Sequence, residues 1–211
     1  MFDTHCHLNF KSFKNNLEEV IVEAYVAGVN QMVIPGTDFE SSKRAVEIAS
    51  QYDGIYAAVG VHPHHVFGIK HEAWNTEHIN HEINKIQSLL DAQCSMLNAP
   101  YSIVAIGEVG LDKHIYQQTK YENYHTNDEF ISLQKEFLIA QLQLAIKYKQ
   151  SIILHNREAV EDILNLITDN WSDWFSGHMV FHCCEADERL LEFAIKHNIY
   201  IGVDGDVTFS K

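Results

Sequence analysis

The chain has 211 residues, 46% of them apolar, and a formal net charge of −14 at pH 7. That apolar content can build one substantial core, whereas the acidic balance argues against a basic surface that wraps long nucleic acid. A small anionic substrate held by bound cations stays open, because a metal inverts the local electrostatics.

No low-complexity tract, long polar run or internal repeat divides the sequence, so residues 1–211 read as a single domain. Fourteen histidines are many for this length. The four cysteines, Cys6, Cys94, Cys183 and Cys184, follow neither a CxxC zinc pattern nor a disulfide framework. Reduced thiols in a cytoplasmic protein are the simpler account. The first strand begins almost at Met1, which leaves no room for a signal peptide before His5. No apolar run is long enough to span a bilayer.

Phe2 to Leu8 carry His5 and His7 one residue apart. On a strand, positions i and i+2 point to the same side, with alpha carbons roughly 6.6 Å apart. A strand therefore aims two imidazoles, the commonest protein metal ligand, at one point. Leu17, Val20, Ile21, Ala24 and Ala27 then recur at helical spacing, and Gly28 is a plausible stop. Gln31 to Ile34 read as a strand closed by Pro35-Gly36. A helix fits Ser41 to Tyr52, and Asp53-Gly54 is a turn signal.

Ile55 to Val61 form the third predicted strand, which runs into His62-Pro63-His64-His65, where proline ends the ladder. Ile79, Ile83, Ile86 and Leu90 mark the next helix. Ser102 to Ile106 make the fourth strand, ending in Gly107-Glu108-Val109-Gly110-Leu111-Asp112. Lys113 to Asn127 are polar and aperiodic, as a loop over a site would be. Phe130, Leu133, Phe137, Ala140, Leu144 and Tyr148 predict a long helix. Ser151 to His155 form the fifth strand, Val160 to Ile167 a helix, and Met179 to Cys183 the sixth strand. Leu190 to His197 form a helix and Tyr200 to Val203 the seventh strand.

This alternation implies a parallel sheet. A doubly wound sheet is one solution. A barrel is favoured, because polar residues sit at the C-terminal ends of many strands, and in a barrel those ends converge on one mouth. A closed barrel of this type needs eight strands and typically about 250 residues. Seven are countable here, so either the fold is open or the chain lacks its natural end.

His5, His7, Glu108, His155 and His182 would line that mouth. Imidazoles with a carboxylate suit a divalent transition metal. Each residue has a plainer account: His155 and His182 as hydrogen-bonded core histidines, Glu108 as a loop acid. Five chelating residues at the same place on four strands are hard to reach by chance. Glu108 has two oxygens and could bridge two ions. His5 and His7 would then serve one ion and His155 and His182 the other. Such a pair can activate water for phosphoester hydrolysis.

Five stretches in order resemble the signatures of the TatD-type metal-dependent hydrolases of the amidohydrolase superfamily. They are His5-Cys6-His7-Leu8, Gly60 to His64, Gly107 to Asp112, His155 to Ala159 and Gly205 to Phe209. The resemblance implies a TIM (β/α)8 barrel, two divalent ions (Mg, Mn or Zn), and deoxyribonuclease activity on DNA ends or short single-stranded DNA, often 3′-to-5′. It implies His5 and His7 on the first metal, Glu108 as the bridge, His155 and His182 on the second, and His62 and Arg157 near the substrate phosphate. No membrane and no obligate protein partner is implied. The sequence departs from the family at Asn9, usually aspartate, and at Cys184-Glu185, usually phenylalanine and a small hydroxyl residue. The family's last ligand, an aspartate after strand eight, has no counterpart, since Asp204 and Asp206 belong to the strand-seven signature. The expectation is a C-terminally incomplete barrel. The alternatives are a hydrolase of an amide, lactone or phosphomonoester, or a non-catalytic metal-binding protein.

Overall fold

Seven parallel strands lie side by side in chain order in the computed structural model, which describes residues 1–68, 76–95 and 102–203. They are β1 (Phe2–Asp3), β2 (Gln31–Pro35), β3 (Ile55–Val59), β4 (Ile103–Asp112), β5 (Ser151–Arg157), β6 (Met179–His182) and β7 (Tyr200–Ile201). Between them run α1 (Leu17–Val26), α2 (Phe39–Ala49), the short α3 (Pro63–Val66), α4 (Thr76–Ser95), α5 (Asp128–Tyr148), α6 (Val160–Asp169) and α7 (Glu188–His197).

The strand order decides between the two predicted architectures. A doubly wound sheet reverses its order at a switch point; here the order is sequential throughout. A flat sheet would set β1 and β6 roughly 24 Å apart at the usual strand spacing. Yet the rings of His5, just past β1, and His182, ending β6, stack with centroids 3.4 Å apart. The sheet therefore curls as a TIM-type α/β barrel does, with its C-terminal strand ends gathered at one mouth.

Side-chain parity separates the layers. Ile152 and Leu154 point outward into the large cluster formed with Phe137, Leu138, Ile163 and Phe175. Ile153 points inward, where it meets Val33, Ala58 and Ala105. His155 and His182 fall on this inner parity, two residues beyond Ile153 and Val180, and are paired in register. A second outer cluster, around Ile21, Ile34, Ala45 and Ile48, seats α1 and α2.

Several predicted boundaries shift, three of them near the mouth. The β1 ladder stops at Asp3, whose Oδ1 accepts the His5 N–H at 3.0 Å. The chain still stays beside β2, because Cys6 N–H donates to Val33 O at 3.0 Å. β3 ends at Val59, two residues early. β4 runs on through Asp112 with a register irregularity between Ile106 and Val109, so Glu108 lies within the strand. Residues 113–127 hold no helix or strand, as predicted. The Gly205 to Phe209 signature, with Asp204 and Asp206, lies outside the described residues. No described helix is long and apolar enough to cross a membrane, and all four cysteines are free of disulfides.

Candidate metal centre

Glu108 is only 4% exposed and sits among imidazoles. Its Oε2 lies 3.3 Å from His5 Nε2 and 3.8 Å from His7 Nε2. Its Oε1 lies 2.8 Å from His155 Nδ1 and 3.7 Å from His62 Nε2. The close packing of β4 on β5 here depends on Gly110, whose φ is +156°. A Cβ at that position would meet His155 O at 1.9 Å.

Burial works against charge on Glu108. The surrounding imidazoles, His62 foremost, overcome it and hold the carboxyl well below its usual range. Burial, reinforced by neighbouring histidines, pushes His7 and His182 down to about 4 and His62 well below its ordinary value. These rings are neutral at pH 7 and keep a lone pair to give. His155 differs. Burial opposes its charge, but hydrogen bonds to Asp112 (Nε2 to Oδ2, 3.2 Å) and to Glu108 more than compensate and raise it to about 9.

The donors fit divalent metal. His5 Nε2 and His7 Nε2 face each other at 3.2 Å, while both Nδ1 atoms are buried without a partner. Only a shared proton or a cation reconciles two such nitrogens beside a carboxylate. Among the described residues, two sets of donors converge closely enough for an ion: His5, Glu108 and His182, and His62, Glu108 and His155. Neutral imidazole and carboxylate are the ligands that zinc and manganese take.

The five residues expected from the sequence, His5, His7, Glu108, His155 and His182, lie together, but the structure groups them differently. The sequence reading pairs His155 with His182 and sends His62 to the substrate. Here His155 turns toward Glu108 on the adjacent strand, and His182 reaches across the lumen to stack on His5. His62 completes the group around His155. The curl of the sheet, invisible in strand spacing, makes these cross-lumen pairs. Arg157 lines the same cleft, of about 890 Å³, with His7, Glu108, His155 and His182. It stacks on Tyr116, 5.1 Å from the ring centroid, and Nη1 donates to the Tyr116 hydroxyl at 3.2 Å.

Asp112 is the residue the sequence reading underused. It is fully buried and takes the His155 ring, the Tyr116 O–H at 2.7 Å and the His114 N–H at 2.9 Å. Burial and then Asp112 push the Tyr116 phenol up to about 12, so it stays protonated and donates. Its place at the end of an apolar strand was the available signal. The two departures from the family also have partners. Asn9 Nδ2 donates to Pro35 O and Ser41 O at 2.9 and 3.0 Å, which a carboxylate could not do. Glu185 accepts from Asn156 Nδ2 at 2.8 Å and from the Glu158 N–H at 3.0 Å.

A sequence-family profile described as "TatD related DNase" matches residues 2–211. Similar proteins include the "Uncharacterized metal-dependent hydrolase YabD" of Bacillus subtilis (strain 168), 33% identical over 211 residues. That match covers 99% of this chain and 70% of the relative. The "3'-5' ssDNA/RNA exonuclease TatD" of Escherichia coli (strain K12) is 29% identical over 205 residues, covering 97% of this chain and 67% of the relative. Among solved structures, the TatD homologue YjjV of Escherichia coli k12 superposes with a TM-score of 0.76 at 27% identity, covering 99% of this chain and 69% of that one.

Proposed function

Because the chain belongs to the TatD related DNase family and is a metal-dependent hydrolase, we propose that it removes nucleotides from the 3′ ends of single-stranded DNA at a centre of two divalent ions. One observation carries this reading: a single buried carboxylate, Glu108, shared by two sets of imidazoles. His5, His7 and His182 would hold one ion and His62 and His155 the other, with Glu108 between. When bound, the ions supply Lewis acidity for phosphoester hydrolysis.

The chain's own residues do the rest. Asp112 fixes the His155 ring from the far side, the arrangement typical of metal-ligating histidines. To serve as a ligand, His155 gives up one of its two ring protons and keeps the other on a carboxylate. Arg157 presents a planar fork of donors matched to phosphate. Tyr116 holds that fork over the cleft and links it to Asp112. The Escherichia coli relative, named for single-stranded DNA and RNA, supports the substrate class.

A second reading has one observation in its favour. Glu158 and Glu185 line the same cleft, and two carboxylates repel a polyanion. That suits a small uncharged amide or lactone. The test is release of mononucleotides from single strands labelled at either end, with manganese, magnesium or zinc supplied. We expect metal-dependent shortening from the 3′ end, lost in Glu108→Gln. Hydrolysis of small esters without any action on DNA would overturn the nuclease reading.

A further inference from the structure

Two glutamines sit where apolar residues belong. Gln134 and Gln141 of α5 are 0% and 1% exposed, seven residues apart, and so fall on one helix face two turns from each other. Phe130, Phe137 and Leu144 occupy the neighbouring positions of the same stripe. A buried amide left unsatisfied is costly, and neither is left so. Gln141 Oε1 accepts the Val61 N–H at 2.7 Å, and its Nε2 donates to Val61 O at 3.2 Å. Gln134 Oε1 accepts the Asp112 N–H at 2.8 Å, and its Nε2 donates to Asp112 O at 2.9 Å. Each side chain thus engages both backbone groups of one residue, as a neighbouring strand would.

The two clamped residues are not arbitrary. Val61 immediately precedes His62, beyond the end of β3, where ladder pairing has stopped. Asp112 ends β4, where β3 no longer runs alongside, and its carboxylate holds His155. A third contact steadies the same place: Ser42 Oγ of α2 accepts the Gly60 N–H at 3.1 Å and donates to Gly60 O at 3.3 Å. Gly60 must be small for this packing, since a Cβ there would meet Val109 Cγ1 at 2.8 Å and Gln141 Oε1 at 3.1 Å.

We propose that Gln134 and Gln141 are positioning residues for one half of the centre. They act through Val61 on His62 and through Asp112 on His155. The inference rests on the two-ion reading above, and it predicts an asymmetry that a general contribution to folding does not. His5, just past β1, and His182, at the end of β6, serve as the internal control.

The experiment is a Mn²⁺ titration of the full chain, with free ion followed by its paramagnetic resonance. Wild type is compared with Gln141→Met, Gln134→Met and the partial replacements Gln141→Glu and Gln134→Glu, which keep the acceptor for the N–H. One class of Mn²⁺ site should weaken by about 10–100-fold, the range for residues that support a ligand. The other class should hold its affinity, and the glutamate variants should fall between wild type and methionine. Equal weakening of both classes, or no change in whichever variants fold, overturns the proposal. A wild type that binds no Mn²⁺ sinks the metal reading instead. The clamps are then judged by hydrogen exchange of the Val61 and Asp112 amides in wild type, where exchange at exposed-loop rates would show that they do not exist.

Discussion

His62 and His155 flank β4, a strand of 10 residues, with His155 inside the seven-residue β5. His5 and His182 rise from β1, two residues long, and from β6, four residues long. The first pair is set by strands adjacent in the sheet and by a helix that grips their ends. The second pair meets only because the whole sheet curls. One carboxylate serves both, and Glu108 belongs to the longer strand. The lesson is that a two-part centre need not be equally preorganised: one half is fixed locally, and the other is brought to it by the global fold.

The largest effect should come from removing what the halves share. Glu108→Gln should lower metal-dependent hydrolysis by more than about 100-fold, beyond the 10–100-fold typical of a residue that only supports a ligand. Loss of Mn²⁺ from both classes of site is the accompanying measurement. Retention of either class at full affinity would show that the halves do not share this carboxylate.

Next is the footing of the stronger half. Phe137, 1% exposed on the buried face of α5 between the two glutamines, should cost about 3–5 kcal/mol of stability when changed to Ala. Phe10 provides the contrast. It stacks on His7 with centroids 4.3 Å apart but is 42% exposed, so Phe10→Ala should fall within about 0.5 kcal/mol of wild type. Denaturant melts of the two variants decide the comparison, and similar losses would break it.

Asp112→Asn tests the support of His155 without emptying space. We expect about 10–100-fold weaker binding at one class of metal site and little change in the other. Calorimetric metal titration reads both, and an unchanged first class would remove Asp112 from the centre.

A smaller effect than at Asp112 is expected at Asp38, which caps α2 through the Ser41 N–H at 2.8 Å and bonds to His65 three residues past His62. The His65 hydrogen bond first, and then Ser41, hold its carboxyl below the usual carboxylate range. A group depressed on folding stabilises above its unfolded pKa, about 4, and loses that contribution as pH falls further. Asp38→Ala should therefore cost about 1 kcal/mol at pH 7, and the gap to wild type should close below about pH 4. A pH-independent gap in urea midpoints would assign the cost to packing.

Much of this was legible in residue order. The alternation of strands and helices, the His-x-His pair and the acid between Gly107 and Gly110 predicted the curled parallel sheet and placed five donors at one mouth. What the order could not carry was which side chains the curl brings together: His155 and His182 are neighbours by strand count, yet each finds its partner elsewhere. Side-chain capture of backbone was equally hidden. Asp3 ended β1 early by taking the His5 N–H, which no alternation pattern records. Gln134 and Gln141 were visible in one respect, as polar residues at i+4 and i+11 from Phe130 on a stripe that is otherwise apolar. A buried amide on such a stripe implies a backbone group with no other partner, and that inference was open from the start.

The contact between His5 and His182 also sets a schedule. A ribosome adds about 5–20 residues each second, and domains build from the N-terminus. His182 therefore follows His5 by roughly 10–35 s. During that interval β1 through β5 can pair while the His5 side of the centre still lacks its second imidazole. An unfinished polypeptide therefore carries only part of the candidate metal centre until His182 has been added.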